Sequence, residues 1–479
     1  MSSSKQLLNK ESKLTKHIQK LLIDDLPKKE LNQIITQINS IEKPKKPMKL
    51  TCKLKINPTL EQKEVLWALA ENCRLLYNYG LAERLDWWGR NKELPIKERE
   101  QPITFKSQSK QLPELKKQFS RYKQNYSKTL QQTLKRLAED FKSFFTLRRN
   151  GHLEANLPRF KGKNYFTTLH YNQIGFEIEG NSIAFTHFYP EKGKEKIKLE
   201  FTFSEKFDFS KKVVKHIDIF QNHKTKEFFI AVVYEPEIPA YVGNRRFQAI
   251  DQGVTNIIAA VNSHAGKTLT IKSPKTNNYW QPKINEVKAK QAHCKRYSNR
   301  WYWYDKKLKQ MIAKEKNQRR DFQHKLAKKI VENTRVKTII IGDLSTKRMS
   351  KRNEVNNKKW ERTLRRNMQN SGVINQFAGF LSYKARKVGK KVIRISERNS
   401  SKRCCYCGKK EERPLYERTI KCDCGLEIDR DINAAVNILQ RFFAVLSLSQ
   451  KRLVTRQQLL KGFREKFFVR NNLEIRLPS

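Results

Sequence analysis

Two groups of residues have types and spacings that could do chemistry. The first is a thiol cluster in SKRCCYCGKKEERPLYERTIKCDCGLE, where Cys404-x-x-Cys407 stands fifteen residues before Cys422-x-Cys424. Four thiolates in two knuckles at that separation suit one tetrahedral zinc ion of the ribbon type. Four protein ligands leave no open position, so the ion is expected to be structural. Cys405 is a spare that could stand in for Cys404, and packing of all four as small hydrophobes fits poorly among their Gly, Lys and Asp neighbours. The second group is acidic. Asp251 closes RFQAI before Gln252-Gly253, and Asp429 and Asp431 sit in GLEIDRDINAAVNIL, where the chain leaving the cysteines enters a helix. Alone, each has a plain structural reading, as a turn former or a helix cap. VKTIIIGDLST (336–346) raises a sharper question. Its isoleucines read as a strand buried on both faces of a parallel sheet, and the carboxyl ends of such strands are where α/β proteins place their chemistry. Yet the residue at the tip is Gly342, which has no functional group.

The elements that must position these residues fall into two regimes. MKLTCKLKI (48–56) alternates strictly, with Met48, Leu50, Cys52, Leu54 and Ile56 on one face of a half-buried strand. Thr59 to Gln62 fits a capping box opening a helix that includes Val65, Leu66, Leu69, Cys73 and Leu76, and helical periodicity returns over 131–149. From PRFKGKNYF (158–166) to about 243, short alternating runs such as KIKLEFTF and EFFIAVVYE predict an antiparallel sheet or small barrel. The interleaved bases and aromatics of PRFKGKNYF suit a phosphate backbone with bases stacked nearby, which makes Arg159, Lys161 and Lys163 candidate nucleic-acid contacts; a hairpin with its aromatics turned to the core is the alternative. Beyond 246, strand, strand, a long basic helical segment (about 280–334), strand, the apolar-faced helix 374–389 and the strand KKVIRIS (390–396) make an α/β pattern. Residues 1–47 read as a basic helical extension ending in the linker KPKKP.

Composition points to the partner. The 479 residues are enough for about two to four domains. Lys and Arg number 101 against 47 Asp and Glu, a formal charge of +54 that calls for a polyanion rather than a merely soluble surface. No apolar run approaches the ~20 residues that span a bilayer, and the N-terminus lacks the apolar core of a secretory signal. A cytoplasmic protein is expected, with cysteines serving as ligands or core thiols rather than disulfides.

Taken together, AIDQGVTN, TIIIGDLS, SERNSSKRCCYCG, CDCG and DRDINAAVNIL resemble the RuvC-like, RNase H-fold nuclease domain of the TnpB family, RNA-guided nucleases of insertion sequences related to type V CRISPR effectors. The likeness extends over most of 48–440. It implies an α/β RuvC-like domain (246–400) with an inserted zinc ribbon (401–427) and a closing segment (428–440). Before it would come an N-terminal β-barrel domain of the wedge type (48–57 and 151–245) with a helical recognition insertion (58–150). The flanks are the extension 1–47 and a basic tail, 441–479. The implied chemistry is phosphodiester hydrolysis with two Mg²⁺, for which Asp251 should bridge both ions and Asp431 hold one, with Asp429 a cap or supporting group.

The resemblance also implies a glutamate where this chain has Gly342. Three answers compete: Asp343 serves instead, although strand neighbours point to opposite faces; the enzyme is dead; or Glu397, just past KKVIRIS on the neighbouring strand about 4.8 Å away, reaches into the space a glycine leaves. Glu397 is the expected ligand. The resulting reading is a Mg²⁺-dependent RNA-guided DNA endonuclease that binds a guide RNA and double-stranded target DNA in a prokaryotic cytoplasm, nucleoid-associated when bound. Its alternative is a nuclease-inactive RNA-guided DNA-binding repressor.

Overall fold

The computed structural model describes residues 14–40, 47–188, 196–203, 209, 212–223, 225–253, 255–274, 276–343, 372–414, 416–449, 462–464 and 466–468. The chain opens with helices 14–24 (α1) and Lys28–Asn39 (α2). It divides into two compact units: Lys45–Pro236 is one, and Met1–Pro44 together with Glu237–Ser479 is the other.

In the unit Lys45–Pro236, β1 (Leu50–Ile56) leads into three helices, α3 (Leu60–Asn91), α4 (Phe105–Gln118) and α5 (Ser127–Arg149). The capping box forms: Gln62 N donates to Thr59 Oγ1 and Thr59 N to Gln62 Oε1. Six strands follow: β2 (Leu169–Asn172), β3 (Phe176–Glu179), β4 (Ser182–Phe188), β5 (Lys196–Thr202), β6 (Val213–Gln221) and β7 (Phe228–Glu235). Among the described residues these make two antiparallel sheets, in the orders β1-β7-β6-β2 and β3-β4-β5, rather than one closed barrel. The sheets share an apolar core in which Leu54, Ile217 and Ile230 meet Ile183, Phe185 and Leu199, with Leu66, Leu69 and Leu76 of α3. Periodicity identifies which face of each strand is buried and so anticipates the antiparallel sheets; it does not identify the hydrogen-bonded neighbours that would distinguish them from a barrel.

The second unit is built on a five-stranded sheet in the order β10-β9-β8-β11-β12. Its strands are β8 (Phe247–Asp251), β9 (Asn256–Asn262), β10 (Thr268–Lys272), β11 (Thr338–Asp343) and β12 (Lys391–Ser396). β8, β9 and β10 pair antiparallel, while β8, β11 and β12 run parallel. Helices α6 (Thr276–Ala292), α7 (Asn299–Asn333) and α8 (Gly372–Lys387) are followed by the short pair β13 (Thr419–Lys421) and β14 (Glu427–Asp429), then α9 (Arg430–Ser449). Both faces of the sheet are covered, which explains the unbroken isoleucine run. Ile339 and Ile341 pack with residues of α7 and α8, while Ile340 packs with residues of α9. LST of the motif VKTIIIGDLST lies outside the described residues.

Two boundaries differ from expectation. The basic tail expected from 441 begins inside α9, which continues to Ser449 with Phe442, Phe443 and Val445 buried; Phe463, Phe467 and Phe468 join the same core. No Gly or Pro stops the helix at 440, so the apolar stripe simply runs on. The N-terminal extension is likewise part of that core through Leu26, Ile34 and Ile38. Its linker, apart from Pro47, lies outside the described residues.

Candidate active site

The parallel strands β8, β11 and β12 end side by side. Register pairs Ile340 with Ala249 on one flank and Gly342 with Ile395 on the other. Ala249, Ile340 and Ile395 all belong to the core cluster shared with α9. Residues two further along a strand face the same way, so Asp251, Gly342 and Glu397 continue these rows toward the α9 side, and Asp431 occupies the first turn of α9. The sequence thus brings together Asp251, Glu397 and Asp431 from three elements.

Glu397 fills the space over the glycine. A Cβ built on Gly342 would overlap the Glu397 carboxyl group at Oε1, Cδ and Cγ. Its Oε1 is enclosed and has no hydrogen-bond partner. Burial, then the charges of Asp251 and Asp343, push its pKa well above the usual carboxylate range, against a hydrogen bond from the backbone N–H of Gln252. Burial and the charge of Asp431 push Asp251 up in the same way. Buried carboxylates that repel one another, one of them with an orphaned oxygen, form a donor set suited to a hard divalent cation. Asp431 accepts hydrogen bonds on Oδ2 from Asn256 Nδ2 at 2.6 Å and from the Arg418 guanidinium. Asp429 caps α9, its Oδ1 accepting from the backbone N–H of Asp431 at 2.9 Å and Ile432 at 3.1 Å.

Asp343 stands apart. No bulge interrupts β11, and its side chain, 55% exposed, pairs with Arg394 at 3.7 Å.

The thiols converge. Cys404 Sγ lies 3.7 Å from Cys424 Sγ and Cys407 Sγ 3.6 Å from Cys422 Sγ, with all four within 4.8 Å of one another. Ligands at about 2.3 Å from a tetrahedral ion stand roughly 3.8 Å apart, so the cluster fits zinc. Cys405 is not in it: its backbone N–H donates to Asn433 Oδ1 and its side chain is buried in the core. Among the described residues, the carboxylates do not form a group within 4.8 Å as the thiols do.

Of the basic candidates, Arg159 and Lys163 are exposed. Lys161 is half-buried, with Nζ 3.6 Å from the centre of the Tyr77 ring and its backbone bonded to Arg74 and Asn78; burial lowers its pKa to about 8. Its ammonium covers the Tyr77 ring instead of projecting into solvent. Phe160 is exposed and Phe166 buried, so the segment splits between the two readings of it.

Sequence reasoning missed the residues that hold the site. Arg441, buried in α9, donates to the carbonyls of Ser396 and Arg398, on either side of Glu397, and to Leu22 O. Asp25 accepts two bonds from Arg403 at 2.9 Å and stands 3.6 Å from Arg441. Gln252 Nε2 donates to Gly342 O. Asn256 could have been flagged as part of AIDQGVTN; Asp25 and Arg441 leave no local signal.

Three family models match. "Probable transposase" covers residues 231–353, "Cas12f1-like, TNB domain" covers 375–438, and "Helix-turn-helix domain" covers 48–93, where the structure has β1 and the uninterrupted α3. A protein of Methanocaldococcus jannaschii named "TnpB-like protein" is 28% identical over 198 residues, 40% of this chain and 67% of that one. The chain belongs to the TnpB family. Another relative, a "Putative RNA-guided DNA endonuclease" of Streptomyces pristinaespiralis, is 27% identical over 214 residues, 44% of this TnpB-family chain and about half (49%) of that protein. In fold, the chain is similar to the protein in a cryo-EM structure of a Cas12f1–sgRNA–target DNA complex, with a TM-score of 0.54 and 14% identity over 82% of this chain and 99% of that one. No helix among the described residues is long and apolar enough to cross a membrane.

Proposed function

We propose that this TnpB-family chain is an RNA-guided DNA endonuclease that cuts at a RuvC-like site formed by Asp251, Glu397 and Asp431. The observation that carries the reading is the Glu397 carboxyl group seated over Gly342, facing the same side of the sheet as Asp251. A structural glutamate would be expected to find a hydrogen-bond partner for its enclosed oxygen; this one has none on Oε1. The likeness to the Streptomyces protein named "Putative RNA-guided DNA endonuclease" supports the activity.

Asp251, Glu397 and Asp431 would hold Mg²⁺, which when bound would supply an activated water and steady the leaving 3′ oxygen. Arg418 and Asn256 restrain the Asp431 carboxylate from one oxygen, and Asp429 fixes the helix turn that presents it. The four thiols would hold zinc between Glu397 and Asp431 in the chain, so that the folded ribbon sets the direction in which α9 enters the site. Guide RNA and target DNA suit the +54 charge, pairing reads the sequence, and the chain itself reads duplex shape.

Purification with bound RNA, sequencing of that RNA, and incubation with matched and unmatched DNA in Mg²⁺ test the proposal. One defined RNA and cutting of matched DNA only is the expected result. Tight binding of matched DNA without any cutting would establish the repressor reading instead.

A further inference from the structure

We propose that His170, His216 and Asp218 form a second metal site, for a zinc-class divalent ion, on the outer face of the sheet β1-β7-β6-β2. Strand geometry sets the three side chains together. β2 pairs with β6 antiparallel, placing His170 opposite Asp218 and Asn172 opposite His216. The alternating neighbours Leu169, Tyr171, Ile217 and Ile219 are buried in the core, so the two histidines and the aspartate share the other face.

His170 Nδ1 lies 2.7 Å from Asp218 Oδ1, and His216 Nε2 lies 3.9 Å from Asp218 Oδ2. The three ligand atoms are within 4.8 Å of one another, and the two rings are 4.7 Å apart. Nitrogen and oxygen ligands at about 2.0–2.1 Å from a tetrahedral ion stand roughly 3.4 Å apart, a spacing within the 4.8 Å over which one ligand atom from each of the three residues gathers. The first distance alone would be satisfied by a hydrogen bond. The second is too long for one and suits two ligands sharing an ion.

Ligand chemistry narrows the ion. Imidazole nitrogen suits zinc, copper or nickel, whereas Mg²⁺ prefers oxygen. The side chains are 17%, 27% and 25% exposed, so three protein ligands leave one position open to solvent. A bound ion would fasten the four-residue edge strand β2 to β6 by its side chains as well as its backbone.

The test is metal analysis of the untagged full-length chain after extensive dialysis. Wild-type protein should retain two zinc ions per chain, one for each ligand cluster. Asp218→Asn keeps an oxygen able to accept from His170, so it preserves the hydrogen bond while removing the anionic ligand. It should retain one zinc with an unchanged circular dichroism spectrum, and His216→Ala should do the same. Cobalt loaded into Cys407→Ser protein should absorb without thiolate charge-transfer bands at the histidine site. One zinc per wild-type chain, unaffected by Asp218→Asn and His216→Ala, would reduce the cluster to a hydrogen-bonded group and overturn the proposal.

Discussion

Adding one methyl group at position 342 would collide with the Glu397 carboxyl group, and the atoms it meets are the far end of a flexible side chain. Gly342→Ala should therefore fold and still bind nucleic acid while pushing Glu397 aside. Displacing a reacting group by about 1 Å costs on the order of 100-fold in rate, so matched-DNA cleavage should fall by roughly that factor, read in single-turnover assays. Glu397→Ala should abolish cutting as fully as Asp251→Ala. Asp343→Ala, which removes a half-exposed partner of Arg394 and one of the charges acting on Glu397, should leave most activity. The double variant Gly342→Glu with Glu397→Ala should regain part of the lost rate. Near-normal cutting by Glu397→Ala, with none by Asp343→Ala, would transfer the role to Asp343.

At the scale of elements, α1 and α2 brace the strand that ends at Glu397. Asp25, between them, neutralises Arg403 and lies beside Arg441, whose guanidinium fixes the carbonyls flanking Glu397. Removing one partner of a buried pair costs about 3–5 kcal/mol. Asp25→Ala should lower the urea midpoint of the unit containing the five-stranded sheet and, if the chain cuts DNA as proposed, reduce cleavage more than nucleic-acid binding; equal losses in both would mean general unfolding. Within β4, a different residue makes stability depend on pH. His187 is buried with no hydrogen-bond partner at either ring nitrogen, and burial lowers its pKa from 6.5 to about 3. A depressed folded-state value means that the unfolded chain binds the proton more readily. Stability is therefore present above 6.5 and declines as pH falls toward 3, by about 1.4 kcal/mol per unit. His187→Phe should flatten that part of the pH–stability curve measured by denaturant titration. These cases also show what the sequence discloses. Alternation and a capping box were enough for β1 and α3, since both signals are local. The ribbon thiols were legible from spacing. Glu397 became legible only with a sheet in mind, because its meaning depends on register with β11. Asp25 and Arg441 were illegible, since nothing local distinguishes a buried ion pair from a solvated charge.

Over the whole molecule, the charge of +54 bears on the proposed binding of nucleic acid. If the chain binds RNA as proposed, its charge predicts binding that weakens linearly in log–log form with salt, with a slope near −0.7 per phosphate neutralised for single-stranded contacts. Filter binding across a salt series checks this, and a flat response would exclude the backbone as the main contact. Tyr279, Tyr297, Tyr302 and Trp303, on and between α6 and α7, are exposed; if bases of the proposed RNA stack on them, each would add about 1–3 kcal/mol independent of salt, and Trp303→Ala should shift affinity without altering the slope. Gly342 has a last consequence beyond this one chain. Neighbouring parallel strands offer two seats for one acidic side chain, and a lineage can pass from one to the other through an intermediate with both seats acidic or neither. If Glu397 holds the metal as proposed, a census that scores relatives by the residue at the tip of β11 alone would wrongly count this chain among the decayed copies. Scoring the two tips jointly, acid at either and glycine facing it, would separate descendants that exchanged seats from those that lost the chemistry.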